Sequence, residues 1–402
     1  MARVVFLLVL TVGIASQAMA AKRVSVAELE QLLAAAHGQS DGKVAKQLSE
    51  LELTERASSV RLARWETEFP GHHCHEALTE LADASAFLSL PAADIPANPP
   101  PDVEEQNAMF ARAFQYVNTT ISKLPNFYAT RRTEHFEDTP AQATIERGSA
   151  TPIGRGARST GLSSSAIGQS SYEPIHLAGK STVTVSYQDG FELRGSKKID
   201  IRKFVSSQQG LNTAGEFGPI LSVALGDAIM GKIFWSHWEQ GSTALAANGI
   251  EAVFRFTVPQ EKSSFSVVVP HGRTVDELHP AYHGEIAIDP ANGDILRISV
   301  VADLAPPYQS MTNSVLVEYG SIPIGGTNYI CPVKSVALSK APFYVSEGGK
   351  LDGVSPMRTQ VNDVAFIDYH LFRAEARILT GESVGKQETP ADIAPPPAQS
   401  PR

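Results

Sequence analysis

Residues 282–304 read YHGEIAIDPANGDILRISVVADL, and this stretch is the clearest β-hairpin in the chain. In the first arm Ile286 and Ile288 point one way, and Glu285, Ala287 and Asp289 the other. In the second arm Leu296, Ile298, Val300 and Ala302 share a face opposed by Arg297, Ser299 and Asp303. Apolar and polar residues alternating with a period of two describe a sheet with one buried face. Between the arms lies Asp289-Pro290-Ala291-Asn292-Gly293. Proline presets φ for a turn, and Asn-Gly tolerates the positive φ that closes a short loop.

Further strands are expected downstream and upstream of this hairpin. They are Asn126–Phe136, Ser181–Tyr187 and Phe191–Lys197 about Asp189-Gly190, then Lys232–Glu239, Ile250–Val258 and Ser263–Val269. After the hairpin come Asn313–Tyr319, Thr327–Leu338 and Val361–Leu379. Short joints make most of these roughly ten or eleven strands antiparallel. Two helices interrupt them. One opens at Asp102 and carries Phe110, Phe114, Val117 and Ile121 at spacings of four, three and four; the other covers Pro219–Met230.

The N-terminal part reads differently. Arg3, the apolar run Val4–Val12 and Ala18-Met19-Ala20 form a signal peptide over residues 1–20, so the protein is expected in a periplasm or outside the cell. The apolar run is shorter than the roughly 20 residues that span a bilayer, and no later stretch is longer. Residues 21–90 are expected to be a small helical domain. Ser25-Val26-Ala27-Glu28 is a capping box ahead of Leu29, Leu32, Leu33 and Ala36; Val44, Leu48 and Leu51 mark a second helix. A third is expected over 54–69 and a fourth over 74–89. Residues 91–101, with five prolines, form a semi-rigid linker to a β domain over 102–380. Within it, 139–172 reads as a mobile loop, and 381–402 as a disordered tail.

Charge and motifs exclude more than they assign. The formal net charge of −9 and the absence of a Lys/Arg cluster argue against nucleic acid. His72-His73-Cys74-His75 lacks a second ligand pair at finger spacing, so it reads as a helix start and no metal or other cofactor is expected. No Gly-x-Ser-x-Gly, HEXXH, P-loop or dinucleotide glycine pattern occurs, and no residue is assigned as catalytic. A hydrolase of envelope material would need His237 or His283 beside a Ser or carboxylate. Asn118-Thr119-Thr120 is a glycosylation tripeptide in mid-helix. Cys74 and Cys331 are either a long-range disulfide or two buried thiols.

Aromatic residues concentrate at Phe234, Trp235, Trp238, Phe254, Phe256 and Phe265. Read as core, they pack between sheet and helix. Read as function, Trp235, Trp238, Phe254 and Phe256, with Phe110 and Phe114 from the helix above, line a concave surface for an apolar ligand, and the helix over 102–124 is its plug or lid.

The order of a long seamed helix, a strand and a run of antiparallel strands carries a resemblance. Its landmarks are Phe234-Trp235-Ser236-His237-Trp238, Val253-Phe254-Arg255-Phe256, the Asp289–Gly293 turn, Val317-Glu318-Tyr319-Gly320, Ile324-Gly325-Gly326, Tyr329-Ile330-Cys331-Pro332-Val333 and Phe366-Ile367-Asp368-Tyr369-His370-Leu371-Phe372. Over about 102–380 the chain resembles the periplasmic lipoprotein-carrier superfamily typified by LolA, LolB and RseB-like sensors, and it resembles exported proteins of Acidobacteria with a similar helical leader. The resemblance implies an α+β fold: a large curved antiparallel sheet, an unclosed half-barrel, with helices on its concave side. It also implies a non-catalytic protein binding a lipid or lipoprotein acyl chain. The alternative is an envelope scaffold or sensor whose helical leader binds a protein partner.

Overall fold

The computed structural model describes residues 21–372 except 121–123, 140–142, 146–166, 170–172, 189–190, 195–196, 199–218, 242–248, 272–273 and 343–356. The expected signal segment, most of the loop at 139–172, the Asp189-Gly190 turn and the tail at 381–402 lie outside the described residues.

The leader begins with β1 (Lys22–Val24), α1 (Val26–Ala36), α2 (Asp41–Ser49), β2 (Leu51–Leu53), α3 (Ser59–Glu68) and α4 (His72–Ala84). The capping box forms: the Ser25 hydroxyl accepts from the Glu28 amide, and the Glu28 carboxylate accepts from the Ser25 amide. Leu51–Leu53 is a strand, paired in parallel with β1, and α3 therefore starts later than the sequence pattern indicates. Leu29, Leu33, Val44, Leu48, Trp65, Cys74 and Leu78 form the leader's own core. At the start of α4 the Asp41 carboxylate accepts from the amides of His73 and Cys74 at 3.0 and 2.9 Å. A Cβ at Gly71 would lie 2.1 Å from Asp41 Oδ1, so only glycine leaves room for this cap.

The rest is built on α5 (Val103–Thr120), β3 (Phe127–Thr139), β4 (Ala143–Ile145), β5 (Ile167–Gln169), β6 (Glu173–Gln188), β7 (Phe191–Arg194), β8 (Lys197–Lys198), α6 (Pro219–Met230), β9 (Lys232–Gln240) and β10 (Ile250–Val258). There follow β11 (Val267–His271), β12 (Thr274–Leu278), β13 (Ala281–Ile288), β14 (Ile295–Asp303), β15 (Thr312–Ile324), β16 (Thr327–Pro342) and β17 (Met357–Leu371). Eleven strands make one antiparallel sheet in the order β8-β7-β6-β3-β17-β16-β15-β14-β13-β10-β9. Its end strands do not pair with each other, so the half-barrel is unclosed and the fold is α+β. The pairs β4–β5 and β11–β12 stand apart from it. Leader and sheet belong to one compact unit that ends at Leu371.

Both faces of the sheet are covered. On the inner face Met109, Ala113 and Val117 of α5, with Leu221, Ala224, Leu225 and Ala228 of α6, pack on Phe254, Phe256, Ile286, Ile288, Ile298 and Val317. The Asp227 carboxylate on α6 accepts from the Tyr282 hydroxyl and the Ser264 amide, which satisfies a buried charge beneath the helix. On the outer face Ala84, Ala86 and Phe87 of the leader pack on Phe136, Leu316, Val336 and Val361. The opening hairpin therefore differs from its sequence pattern in two ways. Ala287 and Asp289, read as facing solvent, are fully buried; Ala287 lies opposite Arg297, on the part of the outer face that the leader covers through Arg56. A register shift between Ala287 and Ile288 sets Ile295, not Leu296, opposite Ile288 and into the inner core. The turn itself matches: Asp289 accepts from the Ala291 amide and Gly293 sits at φ +84°.

Candidate functional site

Five of the six aromatic residues singled out in the sequence come together. Phe254 and Phe256 are 3% and 1% exposed in the inner core, and Phe110, Trp235 and Trp238 pack half-buried against it. Phe110 meets Phe254 edge-on at 6.1 Å between centroids, Trp235 meets Phe254 at 5.5 Å, and Trp235 meets Trp238 at 4.8 Å. Such geometry satisfies ring quadrupoles within a packed cluster. The Trp238 indole N–H donates to the Pro99 carbonyl of the linker at 2.8 Å. Phe114 is 40% exposed and stands outside the cluster.

The cysteines resolve to the second of the two alternatives. Both are free and buried, Cys74 in the leader core and Cys331 in a cluster with Phe127, Tyr187 and Phe366. Burial pushes both thiols up to about 12, so neither is a thiolate near neutral pH. His72 and His75 project to solvent beside Glu76 and Glu66, while Cys74 turns inward. Among the described residues no group of three His, Cys, Asp or Glu is placed to hold a metal ion.

Buried charges that no sequence motif announced fasten the leader to the outer face. Arg56, just before α3, reaches Glu239 of β9 at 2.7 Å. Arg297 of β14 grips the same carboxylate with both terminal nitrogens, at 3.0 and 2.7 Å. Glu285 lies 3.9 Å from Arg56 and Glu251 lies 3.9 Å from Arg297. Against the cost of burial, Arg297, His237 and Arg56 hold Glu239 well below the usual carboxylate range. Glu251 goes the other way, to about 7, because burial outweighs Arg297 and because Glu239 and Glu318 are near. A second cluster joins Asp83 of α4 to Lys334 of β16 at 2.8 Å, with Asp363 of β17 3.6 Å from the same amine. Lys180 of β6 adds a bridge between Glu76 of α4 and Glu134 of β3.

One constellation looks catalytic. A register shift opposite Val253 and Phe254 makes Ser236 an extra residue in β9, and its hydroxyl lies 2.8 Å from His237 Nδ1. His237 Nε2 is 3.4 Å from Glu239. Yet both Glu239 oxygens are already taken by Arg56 and Arg297, so the carboxylate charge that would support an imidazolium is committed elsewhere. His283 pairs with Asp303 at 2.9 Å in an exposed position.

An open pocket of about 550 Å³ lies in the leader. Leu33, Ala36, Val44 and Leu48 form its buried floor, Leu32 stands 42% exposed at its mouth, and Pro174 of β6 closes one side. Lys22, Gln39, Gln47 and Glu50 supply the polar lining. No protein-family model, curated protein or solved structure matches the chain. The pocket's volume falls within the range of about 300–1,000 Å³ usual for small-ligand sites, which are mainly apolar with a few placed polar groups. Its residues were visible in the sequence as the stripes of α1 and α2. Helical spacing identifies such stripes without saying whether two of them meet fully.

Proposed function

We propose that the protein is an exported, non-catalytic binding protein that holds an apolar ligand, an acyl chain or an envelope component of similar chemistry, in the pocket between α1, α2 and β6. The observation that carries this reading is an open pocket in which Leu32 is exposed and Leu51 partly exposed, over the buried floor of Leu33, Ala36, Val44 and Leu48. Removing an acyl chain from water yields about 25 cal/mol for each Å² of apolar surface buried. The pocket is favoured over the inner face of the sheet because Leu32 and Leu51 leave apolar surface accessible beside its buried floor, whereas α5 and α6 cover Phe254 and Phe256.

Native mass spectrometry and solvent extraction of protein purified from cells test the reading. A co-purifying lipid is expected, and Ala36→Trp, which fills the floor, should abolish its retention. Leu32→Glu is a second variant that leaves the core untouched and should weaken retention by charging the mouth. Protein free of lipid, or lipid retained equally by both variants, removes the proposal. Retention lost only on Trp238→Ala returns the ligand to the inner face.

A further inference from the structure

Export with removal of residues 1–20 leaves a chain that begins at Ala21, and Ala21 lines the leader pocket. The next residue pins its place. The Lys22 amide donates to the Glu50 carbonyl at 2.8 Å, and Lys22 is in register with Leu51. Ala21 itself is partly exposed. Cleavage before Ala21 therefore frees an α-amino group at the wall of the pocket, and near neutral pH such a group is mostly an ammonium.

The other charges of the lining are few. Lys22 and Glu50 are the only lining residues with ionisable side chains, and their charges sum to zero. Glu28 of α1 lies outside the lining; hydrogen bonds from the Ser25 amide and hydroxyl hold its carboxylate below the usual range, and Lys22 contributes least. The ammonium of Ala21 makes the lining cationic by one unit, and this count holds however the three groups point. In the uncleaved chain the same nitrogen is an amide and the lining is neutral. The pocket's size limits the apolar part of a ligand. A methylene fills about the volume of one water molecule in the liquid, about 30 Å³, so a pocket of about 550 Å³ admits one chain of roughly eighteen carbons and not two.

We infer that signal removal completes the site, and that the ligand is a single-chain amphiphile whose anionic headgroup lies at the Ala21 ammonium and whose chain lies along Leu32 and Leu51. This rests on the export and the binding site proposed above and narrows them to a ligand class. A carboxylate or a phosphate monoanion meets the requirement equally; a neutral headgroup gains nothing from the processed terminus.

The test uses the exported protein purified from cells and stripped of lipid. Its intact mass should place the N-terminus at Ala21. The probes are a dansylated undecanoic acid and its methyl ester, which share chain and fluorophore and differ in charge. The acid should bind about two- to fivefold more tightly than the ester, the size expected for exposed charge contacts. Ala21→Gln supplies an N-terminal glutamine whose amine attacks its own side-chain amide, releases ammonia and leaves an uncharged lactam. Before cyclisation the variant should keep the advantage of the acid; after cyclisation the advantage should vanish with ester binding unchanged. Competition separates the sources of the anion. At least one of palmitate and lysophosphatidylglycerol with the same chain should displace the acid probe at lower concentration than a neutral monoacylglycerol. A wild-type N-terminus elsewhere, equal binding of acid and ester, an advantage that survives cyclisation, or equal displacement by all three lipids overturns the inference. The apolar site still stands in those cases, provided Leu32→Glu weakens both probes. If neither probe binds, the binding site itself is lost and the inference with it.

Discussion

Gly293 shows how a single residue fixes the distance between two elements. Its φ of +84° is one that glycine adopts without penalty, and a Cβ built there would stand 2.7 Å from the backbone of Arg112 and 2.8 Å from that of Ala113. The hairpin turn and α5 therefore touch backbone to backbone, and the Arg112 guanidinium donates to the Pro290 carbonyl at 2.8 Å to close the contact. Gly293→Ala meets both obstacles and should cost about 1–3 kcal/mol or more, read as a fall in the urea midpoint at unchanged slope. A variant as stable as wild type would show that α5 is free to lift away. Asn292-Gly293 was legible as a turn from the sequence. The helix lying on that turn was not, because nothing local to residues 289–294 records a neighbour 180 residues away.

At the scale of elements, α5 repays comparison with its sequence. Drawn through the aromatic residues, its seam runs Phe110, Phe114, Val117 and Ile121. The buried stripe is Met109, Ala113 and Val117, with Phe110 at its side and Phe114 turned outward. The backbone at Arg112 and Ala113 lies against the turn at Gly293, and that close approach helps to select which side of the helix faces the sheet. Met109→Ala should destabilise by about 2–5 kcal/mol, while Phe114→Gln should stay within about 0.5 kcal/mol. Thermal unfolding of the two variants checks this; a larger loss for Phe114→Gln would place the seam back on the aromatic line. Helix α6 was easier to read, since Pro219 starts it and its apolar residues surround it on most sides, as suits a helix pressed into a core.

For the whole molecule, the interface between leader and sheet is polar as well as apolar, and this gives it a pH dependence. Glu251 has an ordinary value of 4.5 and is raised to about 7 in the folded protein; Asp83 rises from 3.8 to about 8, because burial outweighs the neighbouring Lys334. A carboxyl whose folded value is raised binds its proton more tightly in the folded state. Stability is therefore greatest while it is protonated and falls as pH climbs from the ordinary value to the raised one. For Glu251 that window is pH 4.5 to about 7, with a contribution of up to about 3 kcal/mol. Glu239 has the opposite sign, and its contribution is lost only as pH drops below the usual carboxylate range. The protein should be more stable at pH 5.5 than at pH 8.5, and Glu251→Gln should remove the part of that difference lying below about pH 7 while the Asp83 part remains. Calorimetry at the two values decides the matter, and an unchanged profile in the variant would assign the dependence to other groups.

Local patterns along the chain set the elements and their class. Alternation with a period of two, Asn-Gly turns, the capping box at Ser25 and the start of α6 at Pro219 are local signals, and local backbone sterics and hydrogen bonding enforce them wherever the chain goes. What lies on each face of the sheet was set by long-range packing alone. That choice put Glu239, Glu251 and Arg297 under the leader rather than in water, kept Cys74 and Cys331 apart, and opened a pocket between α1 and α2. Burial of a charge or a stripe depends on which distant surface covers it, and a pattern of residue types along one strand carries no record of that partner.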